Sequence, residues 1–425
     1  MRIFLIALVA CAPRPAPVVS EVEADTDVGL MQRDGPLTGL SVYVSPGHGV
    51  ASDRVATGRQ RMEGRAGLTE DDWTARFASH HLIPQLESLG ATVLSVRERS
   101  HAPLHAESPP LHPSGVLFME TLQPTGGTEE TLVSLRLGPD GTVTWDIANP
   151  NDEPAPLYAW WSASSDADPE ARYRVTIDGV MRDVLVDQRS HGSHNRMLTV
   201  LPAHTAAQVR LIGSGAGTLS ASSLTVGGGE RSLWSFKDAE WQTHPAWALA
   251  GKHIQEQGGA PAHVWEPEGA GQAYDATTRA RWADWSHPAD EPAVLLSLHT
   301  NAGGGTGTMT FVRNRCDDGV DCSPRALAST QMARAMHDGI VAVMQGHQDD
   351  WQDHGVIQND LAEINEFINP GMPGVLLEFG FHDHRGDAAL LMQEGVQDEL
   401  ASAVADGVSA WWLAQPQATF PSGSQ

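Results

Sequence analysis

The sequence predicts an α/β protein: an open, mostly parallel sheet flanked by helices and interrupted by an inserted antiparallel β-sandwich. Three observations lead there. Apolar runs at residues 40–45, 294–298 and 375–379 read as buried strands, and each runs directly into a polar residue. Segments of helical periodicity lie between and after them. Residues 113–230 instead carry short alternating segments separated by Gly, Pro, Asn and Asp, the pattern of a sandwich.

Residues 40–45 form the first strand. A helix follows over 70–89, because Trp73, Phe77, Leu82 and Leu86 fall near one face. Thr69 stands at its N-cap position and Gly90 just past its end. Residues 91–96 form the second strand and complete a β–α–β unit. Sandwich strands are expected at 131–137, 142–147, 157–161, 173–177, 184–187, 197–201, 207–212 and 219–226. Trp160 and Trp161 could together form a sugar-stacking platform; equally, they would point to opposite faces of a strand, which places at least one in the core. From about Trp241 the helical pattern returns. Helices are expected at 247–257, 273–285, 326–344 and 396–413, and strands at 262–265, 294–298 and 375–379.

The chain has 425 residues, 41% of them hydrophobic, and a formal charge of −26. It can bury a sizeable core. The acidity speaks against a nucleic-acid surface, which needs a basic patch. Met1 to Cys11 joins one positive charge to a short apolar run, too short to span a bilayer. It reads as an export signal. Leu8-Val-Ala-Cys11 resembles the bacterial lipobox, which implies lipidation of Cys11, a membrane link through that anchor only, and a periplasmic, outer-membrane address. Residues 12–35, rich in Pro and acidic residues, read as a disordered tether, and 416–425 as a disordered tail. The remaining cysteines, Cys316 and Cys322, are expected to close a small loop as a disulfide in an oxidising compartment.

In an open parallel sheet, chemistry collects at the carboxyl ends of the strands. The first strand ends in Ser45-Pro-Gly-His-Gly49, the second apolar run in His299-Thr-Asn301, and the third in Glu378. Two histidines and a carboxylate are the ligand set of a hydrolytic zinc site.

These residues also carry a resemblance. Ser45-Pro-Gly-His-Gly49, Glu70 opening a helix, Ser297-Leu-His-Thr-Asn-Ala302 and Val375-Leu-Leu-Glu-Phe-Gly-Phe381 are similar, in order, to the signature blocks of the zinc-dependent N-acetylmuramoyl-L-alanine amidases (the Amidase_3 family). The resemblance covers residues 36–100 and 240–415. It implies one zinc ion on His48, Glu70 and His299, Glu378 as general base, Asn301 as an orienting or substrate-binding residue, and peptidoglycan as the substrate. Glu63 competes with Glu70, since its separation from His48 is closer to the family's spacing. Glu70 fits the start of the helix better. The sequence departs from the family at Ser45, Val50 and Thr300, where Asp, Gly and Ala are usual. Tyr158-Ala-Trp-Trp161, Tyr173-Arg-Val175 and Val184-Leu-Val-Asp-Gln188 resemble a golvesin-type, xanthan-lyase-like accessory sandwich, for which a carbohydrate or wall ligand is conceivable. The organisation expected is 1–11 signal, 12–35 tether, 36–112 and 231–415 the two parts of the amidase domain, and 113–230 the insertion. A wall-binding lipoprotein without activity, or a zinc hydrolase of the same fold acting on another amide or peptide, are the competing readings.

Overall fold

The structure is a computed structural model that describes residues 35–51, 66–106, 111–122, 132–191, 196–235, 238–266, 274–288, 291–316 and 323–415. Residues 1–34 and 416–425, and with them Cys11, lie outside these residues, as do Glu63 and Cys322.

Two units are interleaved along the chain. The first begins with strand β1 (Ser41–Pro46), buried along its whole length. A helix runs from Glu70 to Ser88 as α1 (Glu70–Arg76), a π-helical turn (Phe77–Leu82) and α2 (Ile83–Ser88). Trp73, Phe77, Leu82 and Leu86 are all buried, as the periodicity requires. Thr69 occupies the N-cap position, but its side chain makes no capping bond. Gly90, at φ 95°, turns the chain out of the helix, and the amide of Ala91 reaches back to the Leu86 carbonyl. Strand β2 (Thr92–Ser95) then pairs parallel to β1.

The inserted sandwich follows, with β3 (His105–Ala106), β4 (Leu111–Leu122), β5 (Leu132–Ala148), β6 (Ala155–Ala159), β7 (Ala171–Ile177), β8 (Val180–Val186), β9 (Arg196–Leu201), β10 (Ala206–Ile212), β11 (Leu219–Ala221) and β12 (Thr225–Val226). One sheet has the order β11-β5-β10-β7-β8 with β4 also on β5; the other is β3-β12-β6-β9. The two segments expected at 131–137 and 142–147 form one bent strand. Its first half pairs with β11 and its second with β10, and Gly138-Pro-Asp-Gly141 lies at the bend. Trp145, Tyr173, Val175, Leu157 and Leu211 fill the space between the sheets. Trp160 and Trp161 both lie in the interior, and the Trp161 indole donates to the Ser190 carbonyl at 3.0 Å. The stacking platform considered for this pair is therefore not formed.

The chain returns through a hairpin, β13 (Glu230–Ser235) and β14 (Glu240–Pro245), and a short 3₁₀ turn. Helices α3 (Gly251–Gln257), α4 (Ala262–Trp265) and α5 (Tyr274–Ser286) follow. Residues 262–265, expected as a strand, form the single turn α4. Pro261 precedes it at φ −67°, already set for a helical start. Strand β15 (Ala293–Asn301), β16 (Thr308–Val312), α6 (Pro324–His347), β17 (Asp353–Gln358), β18 (Gly374–Phe381), α7 (Arg385–Leu391) and α8 (Glu394–Ala414) complete the unit. The main sheet runs β17-β16-β18-β15-β1-β2. The β15–β1, β1–β2 and β15–β18 pairs are parallel, while β16 is antiparallel to β18.

Side chains on one face of this sheet, Val42, Val44, Val294, Leu296 and Leu377 among them, pack under α1, α6 and α8. Those on the other face, Tyr43 and Leu295, meet Val264 and Trp282 of α4 and α5. Helices α6 and α8 approach so closely that a Cβ at Gly407 would stand 2.7 Å from the Met336 Cα. Gly407→Leu should therefore destabilise the fold by roughly 1–3 kcal/mol, outweighing the gain in helix propensity of up to about 1 kcal/mol. Scanning calorimetry of the whole chain checks this; an unchanged or raised melting temperature would contradict the packing.

Candidate metal centre at the sheet edge

Parallel register brings the polar strand ends together. Pro46 of β1 lies beside Leu298 of β15, so the chain turns through Gly47 and His48 next to His299. On the other side, His299 pairs with Glu378 of β18. The turn is tightly constrained. A Cβ on Gly47 would lie 2.7 Å from the Nδ1 and Cε1 of His299. His48 itself is left-handed at φ 53°, a conformation that costs a non-glycine residue about 1 kcal/mol or more and is retained where surroundings enforce it. Gly49, at φ 108°, lies against the backbone of Ala250.

Glu70 is the first residue of α1 and is 2% exposed. Its Oε1 accepts from His299 Nδ1 at 3.0 Å and from the Thr300 amide at 3.1 Å. Its Oε2 lies 3.4 Å from His48 Nε2. Potential ligand atoms of His48, Glu70 and His299 all fall within 4.8 Å of one another. The structure thus brings together the three residues expected to hold the metal.

The charges explain how so polar a cluster is buried. Burial, and secondarily His299, pushes His48 down to about 4, so its ring is neutral at neutral pH, the form in which an imidazole ligates a metal. Burial would raise Glu70, but the hydrogen bond and charge of His299, with His48 and the Thr300 amide, hold it below the usual carboxylate range. Burial likewise opposes the charge on His299, yet Glu363 and Glu70 outweigh it and raise His299 to about 10.

Glu363, missed in the sequence, is the second partner of His299. Its Oε2 accepts from His299 Nε2 at 3.0 Å, and its Oε1 from Arg279 Nη1 at 2.8 Å. Ser297 donates to the same carboxylate, and Asp275 pairs with Arg279. With Nε2 fixed by Glu363, Nδ1 is the nitrogen that faces Glu70 and His48. A carboxylate behind a ligating histidine sets ring orientation and tautomer. No local signal marked Glu363, which lies in a short 3₁₀ turn (Ala362–Ile364) between strands.

Glu378 is neighbour to this cluster, and its Oε2 is buried without a hydrogen-bond partner among the described residues. Burial pushes its carboxyl up to about 8, against the opposing charge of His299 and with Glu70 and Glu363 adding to the rise. Asn301 bonds within its own loop: its Oδ1 accepts from the Ala302 amide at 2.7 Å, and its Nδ2 meets Met309 Sδ at 3.1 Å. Thr300, one of the departures from the family, is paired through Oγ1 with Nδ1 of buried His382 at 2.9 Å. His382 Nδ1 also lies 3.9 Å from Glu70. Asp387, fully buried, accepts from the amides of Gly307 and Phe381 at 2.8 and 3.0 Å and so fixes the loop that follows His299. Away from the centre, Cys316 is buried and disulfide-bonded; its expected partner Cys322 lies outside the described residues. His191, a loop histidine, contacts the Trp285 carbonyl at 2.7 Å.

Two imidazoles and a helix-start carboxylate on the carboxyl edge of a parallel sheet, beside an unpartnered carboxyl, define an α/β protein with the donor set of a catalytic metal site. Residues 249–410 match the family model described as N-acetylmuramoyl-L-alanine amidase. The match contains His299 and Glu378; His48 and Glu70 precede it.

A comparison with curated proteins found no match. Among solved structures, the chain is similar to the catalytic domain of CwlV, an N-acetylmuramoyl-L-alanine amidase from Bacillus (Paenibacillus) polymyxa var. colistinus. The identity is 25% over 32% of this chain and 64% of that one, with a TM-score of 0.25, so the likeness spans just under two thirds of that domain. The N-acetylmuramyl-L-alanine amidase Ami1 from Mycobacterium smegmatis aligns at 13% identity over 89% of this chain and 99% of that one, with a TM-score of 0.37. A Paenibacillus xanthan lyase aligns at 14% identity over 29% of this chain and 12% of that one, with a TM-score of 0.22.

Glu363→Gln removes the charge behind His299 but keeps the shape. It should weaken metal binding about 10–100-fold, measured by competition with a chromogenic chelator. An affinity within twofold of the parent's would remove Glu363 from the centre.

Proposed function

We propose that the protein is a zinc-dependent peptidoglycan amidase that cleaves the amide bond between N-acetylmuramic acid and L-alanine. The observation that carries this reading is the cluster of His48, Glu70 and His299 with Glu378 on the next strand, whose buried Oε2 has no hydrogen-bond partner among the described residues. The family match of residues 249–410 supports the bond class.

The residues fit a zinc ion. His48 is held neutral, His299 presents one nitrogen to the cluster while Glu363 occupies the other, and Glu70 is an ionised carboxylate. Three protein ligands leave a position open, as in hydrolytic rather than structural sites. When bound, zinc polarises a carbonyl and brings the pKa of an attached water towards ~7.

The remaining steps belong to the chain. The His48 turn and the start of α1 would hold two of the ligands, His48 and Glu70. With a divalent cation on His48, Glu70 and His299, the Glu378 carboxyl would be drawn down from about 8 into its ionised form, and Glu378 would then take the proton of the attacking water and deliver it to the departing L-alanine amine. The Oε2 atom of Glu378 is itself shielded from solvent, which limits bulk water at that carboxyl. Asn301 and Asp387 shape the loop beside His299 against which substrate would lie.

Purified protein should carry about one zinc per chain. Glu378→Gln should retain that metal while turnover on purified sacculi falls by about 10²–10⁴. Joint loss of metal would make Glu378 a fourth ligand instead, and retained turnover would exclude it as the base. Mass spectrometry of the released products identifies the bond. Free stem peptides beginning with L-alanine support the amidase reading, whereas cleavage within the peptide would point to a peptidase on the same fold.

Export as a lipoprotein is proposed with this function, from the Leu8-Val-Ala-Cys11 run. Cys11→Ala should move the protein from the membrane fraction to the soluble one; an unchanged distribution would refute an anchor at this residue.

A further inference from the structure

We infer that Arg97 is a positioning residue that clamps two metal-ligand segments to each other and to the segment returning from the inserted sandwich. The inference rests on the reading of His48, Glu70 and His299 as metal ligands and deepens it.

Arg97 lies two residues past β2 and is 1% exposed. Its guanidinium donates to four main-chain carbonyls. Nη1 reaches Gly47 O at 2.8 Å and Asp71 O at 3.0 Å. Nε reaches Leu249 O at 3.0 Å, and Nη2 reaches Trp247 O at 2.9 Å. Gly47 immediately precedes His48, and Asp71 immediately follows Glu70. One planar cation therefore fixes the separation of two ligand-bearing backbones that are otherwise far apart in sequence. The Gly47 carbonyl also accepts from the Thr74 hydroxyl at 3.1 Å, a second tie to the same helix.

The other two carbonyls belong to residues 246–250, where the chain re-enters the α/β unit. This segment is stitched directly to the His48 turn. The Val50 amide donates to Ala248 O at 2.8 Å, and the Ala250 amide donates to Val50 O at 2.9 Å. Leu233 of the β13 hairpin packs with Val50, Ala248 and Leu249 in one small apolar cluster. The left-handed backbone of His48 needs such external restraint.

Only a guanidinium serves all four carbonyls. Its donors form a rigid planar fork, whereas an ammonium has three donors converging on one point. Burial brings Arg97 down to about 10, with Asp71 opposing, which leaves it cationic at neutral pH.

The test uses the whole chain with Arg97→Gln, and Arg97→Lys as the variant that keeps the charge. Val404→Ala, a cavity in the α8 core, is the control for general destabilisation. Two quantities are measured well below the unfolding temperature: zinc affinity by chelator competition, and hydrogen exchange of the metal-free protein. The clamp predicts a 10–100-fold loss of zinc affinity in Arg97→Gln, with a smaller loss in Arg97→Lys. It also predicts at least tenfold faster exchange of the Val50 and Ala250 amides while α6 amides stay protected. Unchanged affinity and unchanged exchange would overturn the inference. So would faster exchange spread equally over α6, as in the Val404→Ala control, since Arg97 would then serve general stability only. If Arg97→Gln does not fold, Arg97→Lys is read by the same criteria. If the parent protein binds no zinc, the metal reading fails, while local exchange in the metal-free variants still decides whether the clamp exists.

Discussion

A carboxylate taken out of water must be compensated where it stands, and the burial of Glu70 is the constraint around which this structure is organised. At 2% exposure the desolvation cost of an isolated charge would be prohibitive. Compensation comes from His299, the Thr300 amide and the first turn of α1, with His48 close by. Each of these groups is then constrained in turn. His299 is held between two carboxylates, Glu363 needs Arg279, and Arg279 needs Asp275. The result is a chain of alternating charges leading from the sheet edge to α5. A divalent cation bound in place of the His299 proton leaves this alternation intact, which is why the donor set suits a metal.

The fold supplies the geometry that this compensation requires. Parallel strands end on one edge, so β1, β15 and β18 deliver His48, His299 and Glu378 side by side without any long excursion of the chain. The inserted sandwich leaves the sheet after β2 and returns before α3, close to that edge. It is also docked. Tyr158 of β6 donates to Glu98 at 2.9 Å, and His191 meets the α5 backbone at Trp285. An insertion at a remote loop could move without consequence for the centre. Here its two ends pass through Arg97 and residues 246–250, next to the His48 turn.

The readable part of the sequence was what depends on local pattern. Apolar runs located β1, β15 and β18, and the polar residues that end those runs are the ones the structure brings together at the sheet edge. The helix period from Trp73 to Leu86 and the turn at Gly90 selected Glu70 as a helix start. What depends on long-range contact was not readable. Glu363, Arg279 and Arg97 act through partners 64 residues, 84 residues and as many as 152 residues away, and nothing in their neighbourhoods announces this. Strands β16 and β17 were also missed. The edge strand Asp353–Gln358 has mostly exposed or half-buried residues, so it shows no apolar run. Residues 262–265 failed in the opposite sense. Four residues cannot distinguish a strand from a helical turn by periodicity.

The placement of positive charge carries the last step. In a chain with 27 basic and 53 acidic residues, cations are scarce, yet Arg97 and Arg279 are each 1% exposed. Neither contributes to the surface, and both act on partners next to the candidate centre. Arg279 supports His299 through Glu363, while Arg97 supports His48 and Glu70 through their neighbouring carbonyls. The two solve different problems. A ligand ring needs its rotation and tautomer fixed, which a charged carboxylate relay accomplishes. A strained turn and a helix start need their backbones held at one spacing, which demands many donors in a rigid plane. Arginine meets both demands and lysine neither, so the polar architecture around the centre depends on the guanidinium group as much as on the ligands.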